Sequence, residues 1–191
     1  MRSHPSAVES FAGVGYFFDL AALHPGERVL DLGSGSGTDA FAAAHLVGHS
    51  GRVVGVDFTR EQLEKARRLA AAGLDQVVEF WERRIEVLPM ADAAFDCVIS
   101  NGVINLSADK ENVFAEAARV LRPGGRLAIA DIVTEQQLTD AISRQRRSVG
   151  LLHRRRSAAG HLPRTHRVGR PGGTRGAAQR LHVYLRPGPR R

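Results

Sequence analysis

The sequence predicts an α/β fold on a mostly parallel sheet, and two observations carry that prediction. Short apolar runs alternate with helical patterns through residues 1–143, the signature of βαβ units. The first clear run passes directly into "DLGSGSGTD", an acid and three alternating glycines, at the carboxyl end of a strand, where open α/β sheets bind ligands. At 191 residues and 43% hydrophobic, the chain is sized for one domain with a single sizeable core.

Taken in order, the aromatic cluster Phe11, Tyr16, Phe17 and Phe18 precedes the first strand and reads either as core or as a lid over an acceptor. Strands are predicted at Arg28–Leu32, Arg52–Asp57, Val77–Trp81, Phe95–Ser100 and Arg126–Val133. Thr59 and Gln62 have the spacing of a capping box before "REQLEKARRLAAAG", and Gly73 stands where a left-handed stop belongs. Ser107 is placed to cap "ADKENVFAEAARVL". In that helix Val113, Phe114, Ala117, Val120 and Leu121 form an apolar stripe, closed by Pro123-Gly124-Gly125. Residues 181–187, "LHVYLRP", alternate only weakly after a polar, Arg-rich approach, so the sheet is expected to lack regular final strands.

The formal net charge of +7 is unevenly placed. Residues 1–143 hold 13 Lys and Arg against all 20 acids, a net of −7, whereas residues 144–191 hold 14 Arg, no Lys and no acid, a net of +14. That division marks a domain at 1–143 and a tail at 144–191. Lacking Phe, Trp, Ile, Met and Asn, the tail has little with which to pack a core. It reads either as a disordered segment able to bind nucleic acid or as GC-rich coding sequence translated out of frame. The single cysteine, Cys97, excludes an internal disulfide and a cysteine-rich metal site. No apolar run has the roughly 18 residues of a membrane span, and no secretory h-region opens the chain, so no membrane association and a cytoplasmic location are expected.

The glycines sit at 33, 35 and 37, whereas a dinucleotide fingerprint opening at Gly33 requires glycine at 38, where the chain has Thr38. A pyrophosphate site is thereby disfavoured. The loop suits instead a ligand with both a carboxylate and positive groups: amides around Gly33, Ser34, Gly35 and Gly37 take the anion, and Asp31 attracts an ammonium. S-adenosyl-L-methionine fits that description, and Asp57, ending the second strand, offers two oxygens to ribose hydroxyls. A tight turn that merely reverses the chain is the competing reading. Asn101, after the fourth strand, reads either as facing cofactor or acceptor or as a turn residue bonding its own backbone. His24, His45 and His49 read as surface residues.

These residues, with "FDCVIS" and "EAARVLRPGGRLAIADIV", resemble the class I S-adenosylmethionine-dependent methyltransferases over about residues 10–140. More narrowly, "VLDLGSGSGTDAF", "GRVVGVDFTREQLEKAR", "EVLP" and "SNGVINLSADKENVFAEAARVLRPGGRLAIAD" are similar to the arsenite methyltransferase group. The resemblance implies a Rossmann-like sheet and S-adenosyl-L-methionine as cofactor. It also implies that the glycine loop holds the methionine moiety, that Asp57 holds ribose, that Phe58 flanks adenine, and that Arg84-Ile85-Glu86 closes over the base. Transfer is then a direct displacement toward a small-molecule acceptor, with the protein supplying proximity and orientation.

Two departures stand out. Arg84 occupies a place where the family usually has an acid, and a guanidinium cannot accept a hydrogen bond. Gly102 stands where arsenite enzymes carry a cysteine; with Cys97 expected inside a covered strand, a convergent thiolate site within this chain is excluded by counting. The expected function is therefore an arsenite methyltransferase-like enzyme with an unidentified acceptor. A cofactor-binding but catalytically defective chain and a nucleic-acid-binding protein are the alternatives.

Overall fold

The computed structural model describes residues 13–133 and 180–187. Phe11 and most of the Arg-rich tail lie outside the described residues. Six strands form one sheet in the order β3-β2-β1-β4-β5-β6. They are β1 (Arg28–Leu32), β2 (Arg52–Asp57), β3 (Val78–Glu82), β4 (Phe95–Asn101), β5 (Leu121–Val133) and β6 (Arg180–Pro187). Every neighbouring pair is parallel. From β1 the chain steps outward through β2 and β3, then crosses back to continue on the other side from β4. The reversal of direction falls between β1 and β4, which opens a crevice at their carboxyl ends.

The helices are α1 (Phe18–Ala21), α2 (Thr38–Val47), α3 (Arg60–Ala70) and α4 (Lys110–Val120), with a 3-10 turn at Ile104–Leu106. Alternation along each strand feeds two cores. Val29, Val53, Cys97 and Ile99 face a layer that includes Phe17, Phe18, Phe41 and Leu63. Leu30, Leu32, Val54, Val56 and Val98 face Val113, Ala117, Val120 and Leu88. Burial on both faces explains why these strands read as continuous apolar runs.

Several local expectations change. Val113, Ala117 and Val120 are buried on α4, but Phe114 is largely exposed, because one residue along a helix turns the side chain by about 100° away from the packed stripe. No side-chain bond caps α3 at Thr59; the Thr59 amide instead donates to Asp57 Oδ1 at 2.7 Å, and Gln62 Oε1 is buried without a partner. Helix α4 is capped by Asp109, whose Oδ1 accepts from the Asn112 amide at 3.0 Å. Ser107 lies two residues earlier and accepts from the Asp109 amide. Strand β5 begins at Leu121, ahead of the expected start. Its register against β4 shifts between Phe95 and Cys97, with Gly124 at φ +82° in the irregular stretch. The weakly alternating stretch near the carboxyl end pairs with β5 from Arg126↔Arg180 to Val133↔Pro187, adding a regular final strand. Ladder pairing uses backbone groups, which leave no mark in composition.

A polar stripe on α4 holds the segment joining β3 to β4. Asn112 Nδ2 donates to the Glu86 carbonyl, and Glu116 Oε2 accepts from the Leu88 amide. Arg119 donates to the carbonyls of Leu88 and Met90, to Glu116 and to Asp92, at 2.7–2.9 Å. Its guanidinium holds the Glu116 carboxyl below the usual range. Arg119→Ala is expected to lower unfolding free energy by about 2 kcal/mol by orphaning these acceptors. Arg119→Lys should recover little, since an ammonium lacks the planar fork. Urea denaturation of the two variants checks both statements.

Candidate functional site

The loop between β1 and α2 is fixed by its own backbone. The Gly33 and Ser34 amides both donate to the Val56 carbonyl, at 2.8 and 2.9 Å, and the Gly37 amide donates to the Ser34 carbonyl. The three glycines then serve different ends. A Cβ at Gly33 would lie 2.3 Å from Val103 Cγ2, and one at Gly37 would lie 2.7 Å from the Phe80 ring, so both are required by packing. Gly35, at φ +53°, has nothing within 4 Å of a built Cβ. Only there does bare backbone face open space.

Three carboxylates gather beneath this loop. Asp57 is buried, with Oδ2 accepting from the Gly35 amide at 2.9 Å and Oδ1 from the Thr59 amide at 2.7 Å. Each oxygen keeps a second lone pair for a ligand hydroxyl. Asp31 is only 2% exposed, and its Oδ2 has no partner. Burial, then the charges of Asp39 and Asp57, push its carboxyl well above the usual range. Asp39, in the first turn of α2, is pushed up to about 6 by burial, against the pull of the Asn101 amide. Ser34 Oγ is likewise buried without a partner. An orphaned acidic oxygen and an orphaned hydroxyl beside the Gly35 opening fit a ligand bearing an ammonium and a carboxylate.

Phe58 directly follows Asp57 and is 70% exposed, a bare aromatic face next in the chain to that carboxylate. Ile85 is half-buried against the second core. The Glu86 carboxylate is taken by its neighbours: Oε1 accepts from the Ser107 hydroxyl at 2.7 Å, and Oε2 lies 3.6 Å from Arg84 Nε. Arg84 is thus paired with Glu86. Asn101 bonds neither its own turn nor open space but Val14, Gly15 and Asp39. The aromatic cluster divides, with Phe17 and Phe18 in the core and Tyr16 58% exposed.

Cys97 is fully buried in β4, and burial pushes its thiol up to about 12, which keeps it protonated and inert. Gly102 sits at φ +72° with its amide on the Ala130 carbonyl, a left-handed position that disfavours any side chain. His24, His45 and His49 are exposed.

Two residues near the site were not singled out from the sequence. Gly55, inside β2, allows Phe80 and Ser34 to approach to 2.6 and 2.8 Å of where its Cβ would stand; a glycine inside an apolar strand is the signal. Asp131, buried near the end of β5, accepts from the amides of Asn105 and Ile132 and so holds the 3-10 turn. Among the described residues no group of three or more His, Cys, Asp or Glu is placed to hold a metal ion, and no helix is long and apolar enough to cross a membrane.

A switch-point crevice, a glycine loop open at one residue and a strand-end acid beside an exposed aromatic define a Rossmann-like, cofactor-binding α/β fold. The family model described as "Methyltransferase domain" matches residues 23–171, and the chain belongs to that family, in the class I group whose cofactor is S-adenosyl-L-methionine. Within it the chain is close to the arsenite methyltransferases. It is 50% identical over 123 residues to the arsenite methyltransferase of Halobacterium salinarum, covering 64% of this chain and 32% of the relative. It is 43% identical over 150 residues to that of Aquipseudomonas alcaligenes, covering 73% and 42%. The crystal structure of the arsenic(III) S-adenosylmethionine methyltransferase of Chlamydomonas reinhardtii superposes with a TM-score of 0.59 at 43% identity, covering 65% of this chain and 44% of that one. The chain thus spans about a third to two-fifths of the length of these curated relatives.

The raised Asp39 carboxyl has a consequence for stability. A group that binds its proton more tightly when folded favours folding fully below its unfolded pKa, near 4, and that contribution is lost as pH rises through about 6. Asp39→Asn is therefore expected to raise the melting temperature by roughly 2–6 °C at pH 7.5 and to leave it unchanged at pH 4, as calorimetry at the two pH values checks. Gly35→Val should abolish cofactor binding seen by titration calorimetry. A side chain there enters the opening, while the fold bears only the strain of about 1–2 kcal/mol at a left-handed position.

Proposed function

We propose that this chain binds S-adenosyl-L-methionine at the Gly35 opening and transfers its methyl group to a small-molecule acceptor. The orphaned Asp31 Oδ2 beside that opening carries the reading, because a buried, unpartnered carboxylate oxygen calls for a cation. Asp31 meets the ammonium; since the amides of Gly33, Ser34, Gly35 and Gly37 are bonded to Val56, Asp57 and Ser34, the ligand carboxylate falls to the amino-terminal end of α2 rather than to the glycine amides. Asp57 receives the ribose hydroxyls on its remaining lone pairs, and Phe58 and Ile85 flank the base. Glu86 reaches the base only through its backbone, since Ser107 and Arg84 hold its carboxylate. When bound, the cofactor supplies an electrophilic methyl on a sulfonium. The chain's own contribution is to hold and orient, and the exposed His24, His45 and His49 are not placed as a general base.

The relatives named arsenite methyltransferases suggest arsenite as the acceptor, but the residues argue against it for this chain alone. Its one thiol is buried and protonated, and position 102 is a left-handed glycine. A cofactor-binding chain without transfer is the second reading, favoured by the same two facts. Residues 144–191 are the Arg-rich part of the chain, of which 180–187 pair with β5 as β6. Either they are an out-of-frame product or their 14 Arg bind nucleic acid, with affinity falling steeply as salt rises.

Titration calorimetry followed by a turnover assay separates the readings. The chain should bind S-adenosyl-L-methionine, and Asp57→Ala should weaken binding by roughly 10- to 100-fold through lost hydrogen bonds to a carboxylate. S-adenosylhomocysteine should accumulate with a carbon, oxygen or nitrogen acceptor and not with arsenite plus thiol. Absence of cofactor binding, or arsenite turnover by the unmodified chain, contradicts the proposal.

A further inference from the structure

Asn101 closes β4 next to Ser100, which pairs with Leu32 at the end of β1. Its side chain therefore stands at the carboxyl edge of the two central strands, the edge on which the glycine loop opens. Most of its amide's capacity is spent on other parts of the chain. Oδ1 accepts from the Val14 amide at 2.7 Å. Nδ2 donates to the Gly15 carbonyl at 3.0 Å and to Asp39 Oδ2 at 2.9 Å. The contact with Val14 and Gly15 is peptide-like, one donor and one acceptor on each side, which fixes both the position and the register of that segment. The third bond ties the same amide to the first turn of α2.

The segment is also anchored from its other end. Phe17 and Phe18 are buried and stack at 4.9 Å, while Tyr16, between that anchor and the clasp, is exposed. Residues 14–16 thus run from a core-held pair of rings to a side-chain clasp at the mouth of the crevice. Both donors of the Asn101 amide are used, and its oxygen retains one lone pair. A direct ligand role would have to break the clasp.

We propose that Asn101 is a positioning residue: it clasps Val14 and Gly15 against Asp39, so that the segment before α1 forms the β4-side wall of the cofactor site. It acts through that segment and touches neither cofactor nor acceptor with its own amide. The contact with Asp39 also links the wall to the helix that the glycine loop opens. This inference rests on the reading of the site as one for S-adenosyl-L-methionine.

A double-mutant cycle on the full chain tests it. Val14→Pro deletes the N–H that Asn101 accepts and leaves Asn101 intact; Asn101→Ala deletes the clasp from the other side. Each single variant should weaken S-adenosyl-L-methionine binding about tenfold by calorimetry, and the double variant should lie within about threefold of either one. Asn101→Asp keeps the acceptor for Val14 but loses both donors and sets a carboxylate against Asp39, so it should weaken binding as well. In the absence of cofactor, amide exchange of residues 14–16 should accelerate in Asn101→Ala while the rest of the sheet keeps its protection. Multiplying effects in the double variant, or weakening by Asn101→Ala with none from Val14→Pro, would show a direct ligand and overturn the clasp. Unchanged exchange at 14–16 would overturn it too. A wild-type chain that binds no S-adenosyl-L-methionine while exchange still responds to Asn101→Ala would instead overturn the cofactor reading.

Discussion

Three carboxylates brought together from β1, β2 and the first turn of α2 are the constraint around which the candidate site is arranged. Buried Asp31 feels the charges of Asp39 and Asp57, and each of the three is answered differently. Asp57 is met by two backbone amides, one from the glycine loop and one from the start of α3. Asp39 is met by the Asn101 amide, which thereby joins α2 to β4. Asp31 keeps one oxygen unpartnered, and neighbouring negative charge strengthens its demand for a cation. The Gly35 amide, the Thr59 amide at the entry of α3 and the Asn101 side chain each answer one of these acids.

The same economy of polar contacts runs along α4. Asn112, Glu116 and Arg119 recur at helical spacing and hold the segment that follows β3, so Ile85 and Glu86 are placed by a helix on the opposite side of the sheet from α2 and α3. The site is thereby walled from two layers. One supplies the loop and its acids; the other supplies the segment beside the exposed Phe58. Their meeting point follows from the reversal of strand order between β1 and β4.

The two departures from the resemblance to arsenite methyltransferases, Arg84 and Gly102, lie outside the glycine loop. Arg84 is accommodated by an ion pair with Glu86, which removes that carboxylate from any role toward a base. Gly102 occupies a left-handed turn closed by its amide on Ala130, a geometry for which glycine is the natural residue. Cys97 is sealed in the core by β4 itself.

The sequence by itself determined the first five strands, the helices α3 and α4 and the parallel sheet, and it singled out Asp31, Gly35 and Asp57. Apolar runs, helical spacing and strand-end acids are local patterns with direct physical causes. It did not determine which loop glycine faces open space, because Gly33 and Gly37 are set by Val103 and Phe80 from distant parts of the chain. Nor did it determine the partners of Asn101 and Glu86 or the pairing of β6. Those depend on groups brought together across 20 to 90 residues, or on backbone hydrogen bonds that carry no side-chain signature. Local periodicity writes the elements into the sequence; only the assembled sheet decides which polar atoms, among them Asp31 Oδ2 at the candidate site, are left over.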